Sequence, residues 1–156
     1  MYLCAQKNLR RIFAILISIG VSIADVQADR FESSVKKFYA EDIKVATLAH
    51  IRSITDSDGV FQILDEKTEQ ILKLKFITIH DPVRQIDEDI YFACTDFHLA
   101  DNPNKIYDID FWLDHENSVL KVYQSKVHKE PRWAMLYGWY KHPRYTFVNN
   151  KIKYLY

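Results

Sequence analysis

The spacing of apolar positions changes period once along this chain. Over residues 31–54, Val35, Phe38, Tyr39, Ile43, Ala46, Ala49 or His50, and Ile54 recur at near-helical intervals. Such a stripe predicts a helix that packs one face on a sheet. Ser33 or Ser34 can cap its start by accepting a backbone N–H, and no Gly or Pro interrupts it. Two shorter helices broken near residues 39–41 fit the same spacing. Thr55-Asp56-Ser57-Asp58-Gly59 ends the helical pattern, Gly59 being free to take a left-handed conformation.

From there the period is two. Residues 60–64 predict a short strand, residues 65–69 a polar turn, and residues 71–80 a longer strand broken by Asp81-Pro82. A charged connection over residues 83–89 leads to the most regular stretch, residues 90–113. In its first half Tyr91, Ala93, Thr95 and Phe97 oppose Phe92, Cys94, Asp96 and His98. In its second half Tyr107, Ile109, Phe111 and Leu113 oppose Asp108, Asp110 and Trp112, and DNPNK supplies turn residues between the two. The pair reads as a hairpin with one apolar face and one acidic-aromatic face. A turn at residues 114–117 and a strand over residues 119–129 follow. Short polar turns favour antiparallel pairing. The expectation is an α+β fold, an N-terminal helix packed on a curved antiparallel sheet of about five strands.

Pro131 is expected to close the last strand. Beyond it stand Trp133, Tyr137, Trp139, Tyr140, Tyr145, Phe147, Tyr154 and Tyr156. Asn149-Asn150 suits a tight turn, because Asn tolerates positive φ, so residues 145–148 and 151–156 predict a small hairpin. These residues complete the core or form an aromatic-basic C-terminal extension.

The first residues follow another logic. Lys7, Arg10 and Arg11 precede an uncharged apolar run over residues 12–24, and Val26-Gln27-Ala28 places small residues before a cut at Asp29. That is the pattern of a secretory signal peptide, with cleavage after Ala24 or an uncleaved anchor as alternatives. The run is shorter than the roughly 20 residues of a membrane span. The organisation is thus a signal peptide at 1–28, an α+β domain at 29–130 and the extension at 131–156, in an exported protein, periplasmic or secreted. Cys4 leaves with the signal, so Cys94 remains as a lone thiol without an intramolecular disulfide partner. Mid-strand between aromatics, it reads as an inert buried cysteine.

A net charge of zero hides an asymmetry. Residues 29–128 carry 12 Lys/Arg against 19 Asp/Glu, whereas residues 129–156 carry six Lys/Arg against Glu130 alone. Opposite signs in one small chain point to self-association as a homodimer or to separate binding surfaces.

At Ile79-His80-Asp81-Pro82-Val83 and over residues 91–97, 108–112 and 126–129, the chain resembles a group of small exported bacterial proteins of unknown function. The layout is similar to cystatin-like and nuclear-transport-factor-like folds. The resemblance implies a curved sheet wrapped round a helix and carries no activity; residues after Pro131 lie outside it.

Three constellations could carry chemistry. If the hairpin pairs as drawn, Asp96 and one or both of Asp108 and Asp110 share a face with Trp112, Phe92 and His98, and clustered carboxylates raise one another's pKa or bind a cation. The bland alternative is a solvated face balanced by Lys121 and Lys126 across the strands. His80, His98, His115 and His128 sit near strand ends, with His98 and His128 the metal candidates, though no pair has a local ligand spacing. In the tail, Trp133, Trp139, Tyr140 and Arg144, with Trp112 of the hairpin, make the candidate binding set, since aromatics and cations together suit an interfacial surface. No Walker loop, GxGxxG, GxSxG, HExxH or Cys-pair knuckle is present. The expectation is an exported, non-enzymatic binding module without a cofactor, contacting a protein or envelope component and not nucleic acid. A small enzyme built on the carboxylates, and a peripheral membrane protein held by its tail, are the alternatives.

Overall fold

A computed structural model of the protein describes residues 37–156. The helix forms where residues favour it, over Ala40–Ile54 (α1). Its N–H groups gain an acidic first turn, and Asp42 reaches back to accept the Tyr39 N–H at 2.8 Å. Its buried stripe is Ile43, Thr47 and Ile51, spaced four apart, with Phe38 buried just before it.

Nine strands follow: β1 (Val60–Asp65), β2 (Gln70–Ile79), β3 (Arg84–Gln85), β4 (Tyr91–Leu99), β5 (Asn102–Glu116), β6 (Val119–Ala134), β7 (Gly138–Pro143), β8 (Tyr145–Val148) and β9 (Lys151–Tyr154). Seven make one antiparallel sheet in the order β1-β2-β4-β5-β6-β7, with β3 on β4, and β8-β9 form a separate hairpin. Each sheet face has its own core. On one, α1 covers Tyr91, Ala93 and Phe97 of β4 and Ile109, Phe111 and Leu113 of β5, joined by Phe61 and Leu74. Burying each such side chain contributes about 1.5–3 kcal/mol. On the other, Tyr145, Phe147 and Ile152 of the β8-β9 hairpin pack on Phe92 and Trp112.

This corrects the expected architecture. Strands hold 61% of the described residues and helix 12%, so the fold is sheet-dominated and not a helix wrapped by about five strands. The expected helix start, its Ser33 or Ser34 cap and the signal peptide lie outside the described residues. Of the expected stripe, Tyr39, which precedes the helix, and Ala49 and Ile54 within it are exposed. The turn after β4 is tighter than DNPNK suggests: Leu99 pairs with Asn102, and Pro103 already lies in β5. Pro131 closes nothing, for it sits inside β6 opposite Lys141. Pairing of β6 with β5 ends at Asp108–Lys129, so at Pro131 only β7 remains as a neighbour and the missing N–H is tolerated. The residues after it are therefore strands of the sheet and its second cover, not an extension. No described helix is long and apolar enough to cross a membrane.

Candidate functional site

The β4-β5 register sets Asp96 opposite Asp108, Cys94 opposite Asp110 and Phe92 opposite Trp112. Because side chains alternate, these six share the face that the β8-β9 hairpin covers. The hairpin turns on Asn149 and Asn150, both at positive φ, and brings Tyr145 over the acidic row. A bulge does the rest. Asp108 pairs with Lys129 but Ile109 with Val127, leaving His128 as the extra residue. Neighbouring His128 and Lys129 can then both reach the acidic face, which regular alternation forbids.

Asp108 and Asp110 are fully buried. Lys129 Nζ donates to Asp108 Oδ2 at 2.8 Å, and Tyr145 OH donates to Asp110 Oδ2 at 2.7 Å. His128 Nδ1 lies 3.3 Å from Asp110 Oδ2, while His128 Nε2 meets the Tyr145 carbonyl at 3.2 Å. The imidazole also stacks on the Tyr145 ring, with centroids 4.6 Å apart. Cys94 Sγ sits 2.8 Å from Oδ1 of both aspartates and 3.8 Å from His128 Nδ1. At the row's end Lys141 grips both oxygens of Asp96, at 2.6 and 2.8 Å, and His80 Nε2 lies 3.1 Å from Asp96 Oδ1.

The electrostatics follow. Burial and the two neighbouring carboxylates push the Cys94 thiol far up, so it is no thiolate nucleophile at neutral pH. Burial and Asp110 push the Tyr145 phenol up as well. Burial favours a protonated Asp108, but bonds from Cys94 and Lys129 outweigh it and hold the carboxyl below its ordinary range. Among the described residues two sets could hold a metal ion: Cys94, Asp108, Asp110 and His128, whose ligand atoms all lie within 4.8 Å of one another, and His80, Asp96 and Asp108. Two large open hollows beside α1 are elsewhere, one lined by Phe38, Val45, Ala49, His50 and Leu120 among others, the other by Leu48, Ile51, Phe76 and His98 among others.

Comparison with protein-family models, with curated proteins and with solved structures finds no match. The chain's own geometry must carry any functional reading.

Of the residues singled out from sequence, Asp96, Asp108 and Asp110 come together, and His128 joins them. His98 does not: its Nδ1 bonds the Leu99 carbonyl at 2.8 Å, at the far end of β4. The expected charge partners are also wrong. Lys126 lies opposite Asp110 in the register but its ammonium bonds Glu66, and Lys121 pairs with Glu116. Trp112 is buried against Phe92 and Phe147. Arg144 is buried too, its Nη2 on Asp65 Oδ2 and its Nε on Glu130 Oε2, both at 2.8 Å. Neither can serve as a contact residue.

Trp133, Trp139 and Tyr140 gather instead on the β6-β7 hairpin. Its turn closes with the Tyr137 N–H on the Ala134 carbonyl at 3.3 Å, followed by Gly138 at φ +73°. Trp133 and Trp139 meet edge-on at 5.7 Å, and Tyr137 and Tyr140 at 5.5 Å. Lys105 Nζ lies over the Trp139 ring at 5.0 Å. Met135 and Leu136 at the tip are 94% and 92% exposed. Sequence reasoning passed over both. The signal that could have found them is an apolar pair placed just ahead of the only glycine in the last 97 residues, a turn signature.

Proposed function

We propose that this protein is an exported, non-enzymatic binding module whose β6-β7 hairpin tip docks on an anionic membrane surface. The single observation that carries the reading is the tip itself: Trp133, Met135, Leu136 and Tyr137 together in solvent on one turn. A contiguous exposed apolar patch marks an interaction surface. Its chemistry favours a lipid interface, since Trp and Tyr suit the headgroup level and Met and Leu the acyl boundary below it. Lys105, whose ammonium lies over the Trp139 ring, and the exposed Arg132, which also bonds Glu130, flank the patch. The signal-peptide pattern of the first 28 residues supports export to where such a surface is met. The carboxylate enzyme has less support, because both large open hollows are lined by other residues while Asp108 and Asp110 are fully buried.

Co-sedimentation with vesicles tests it. The wild type should pellet with vesicles of mixed phosphatidylcholine and phosphatidylglycerol, less with phosphatidylcholine alone, and less again at high salt. Immersing Met135 and Leu136 stabilises the bound state by about 1.5–3 kcal/mol each, so Leu136→Asp with Met135→Asp should abolish binding. Equal pelleting of this pair and the wild type, or no pelleting at all, would end the reading.

A further inference from the structure

We propose that Cys94, Asp108, Asp110 and His128 form a four-ligand zinc site that ties β4, β5 and β6 together beneath Tyr145 of the β8-β9 hairpin. The residue types are those of a borderline divalent ion: one thiolate, one imidazole and two carboxylates. The ligand atoms stand nearly where such an ion needs them. Around a tetrahedral zinc with bonds of about 2.0–2.3 Å, neighbouring ligand atoms are spaced about 3.3–3.6 Å. Here the Sγ–Oδ1 separations are 2.8 Å, the Sγ–Nδ1 separation is 3.8 Å, and all four ligand atoms lie within 4.8 Å of one another, so modest side-chain shifts bring them to such an ion.

The outer groups are arranged as a metal site requires. A ligating histidine ordinarily gives its other ring N–H to a carbonyl or carboxylate. His128 Nε2 faces the Tyr145 carbonyl at 3.2 Å, which leaves the Nδ1 lone pair aimed at Cys94 and Asp110. Lys129 and Tyr145 each take an Oδ2, leaving the two Oδ1 atoms turned together toward the sulfur. Protons alone do not account for this convergence. One S–H cannot donate to two carboxylate oxygens and an imidazole nitrogen at once. On coordination the S–H bond breaks, a metal–sulfur bond forms, and the proton leaves to the buffer. Two carboxylates and one thiolate then face the Lys129 ammonium and a divalent cation, which leaves no net charge in a buried place. Cys94 and His128 are partly exposed and give an entry path.

Titration of the metal-free, reduced protein with Co²⁺, read by visible absorption, tests the proposal. One equivalent should bind, with tetrahedral ligand-field bands and a sulfur-to-cobalt charge-transfer band, and Zn²⁺ should displace it. Cys94→Ser should remove the charge-transfer band and weaken binding at least about 100-fold; Tyr145→Phe, which loses only an outer bond, should weaken it about 10–100-fold. Asp96→Asn should bind as the wild type does. If Cys94→Ser proves unfolded by circular dichroism, His128→Gln, at the partly exposed edge, takes its place with the same expected loss. Failure of the wild type to take up Co²⁺ or Zn²⁺ overturns the proposal. So does wild-type affinity in Cys94→Ser or His128→Gln, or a loss on Asp96→Asn that matches theirs.

Discussion

Removing the Arg144 guanidinium probes the strongest charged contact between the C-terminal strands and the start of the sheet. Arg144 and Asp65 are 4% and 1% exposed and bond through Nη1 and Nη2 of the guanidinium, while its Nε holds Glu130. Arg144→Ala leaves the Asp65 carboxylate buried with only the Lys67 N–H and the Thr68 hydroxyl; Glu130 keeps Lys67 and Arg132. An orphaned buried charge costs about 3–5 kcal/mol, a large part of the roughly 5–15 kcal/mol that holds a domain folded. The pH dependence gives a second, independent reading. Burial pushes the Asp65 carboxyl up, but Arg144, Lys67 and Thr68 pull it down further, from 3.8 to about 2. The folded state therefore binds the proton less readily than the unfolded state. The stability this supplies, about 2 kcal/mol, is complete above pH 4–5 and disappears as pH falls through 2. Urea unfolding at a series of pH values measures both effects. Arg144→Ala should lose most stability at pH 7 and lose less near pH 3, where Asp65 can take up a proton in the variant. The gap between wild type and Asp65→Asn should narrow by about 2 kcal/mol between pH 6 and pH 2, because only the wild type loses this contribution. A stability of Arg144→Ala within about 0.5 kcal/mol of wild type at pH 7, the range of an ordinary surface change, would refute the reasoning.

Other outcomes follow from single positions. Thr95 is fully buried on the α1 side, and its hydroxyl finds no hydrogen-bond partner among the described residues. Thr95→Val should therefore raise stability by about 1 kcal/mol, read from the urea midpoint at unchanged slope. Phe111 is fully buried against Phe61, Phe97 and His50, so Phe111→Ala should cost about 3–5 kcal/mol in the same assay. Gly138 holds φ +73°, and a Cβ there would meet the Trp133 ring at 3.4 Å. Gly138→Ala should destabilise by about 1 kcal/mol and disturb the Trp133–Trp139 pair in near-ultraviolet circular dichroism, with little change in the far ultraviolet.

What was legible in the sequence was local. Strict alternation over residues 91–97 and 107–113 assigned both faces of the β4-β5 hairpin, because a strand's side-chain period is two whatever surrounds it. Asn149-Asn150 announced its turn by the same kind of local preference. The acidic row could be read, but not what neutralises it. Lys129 and His128 reach it only through a bulge, and a bulge breaks the alternation on which the reading rests. The tie between Asp65 and Arg144 spans 79 residues, and no periodicity links them.

The tail shows why composition misled. Its aromatics and cations look alike in a list of residue types, yet they divide by what faces them. Arg144 and Tyr145 turn inward because Asp65 and Asp110 are buried acceptors at the distance and angle they require. Trp133, Met135, Leu136 and Tyr137 meet no such partner, since after Lys129 β6 pairs with β7 alone and the β6-β7 turn carries them to the exposed end of that hairpin. Opposite fates for similar residues are thus set by how far each strand runs and which neighbour it pairs with. Strand length in turn was hidden by Pro131, whose lost N–H matters only where a strand has neighbours on both sides.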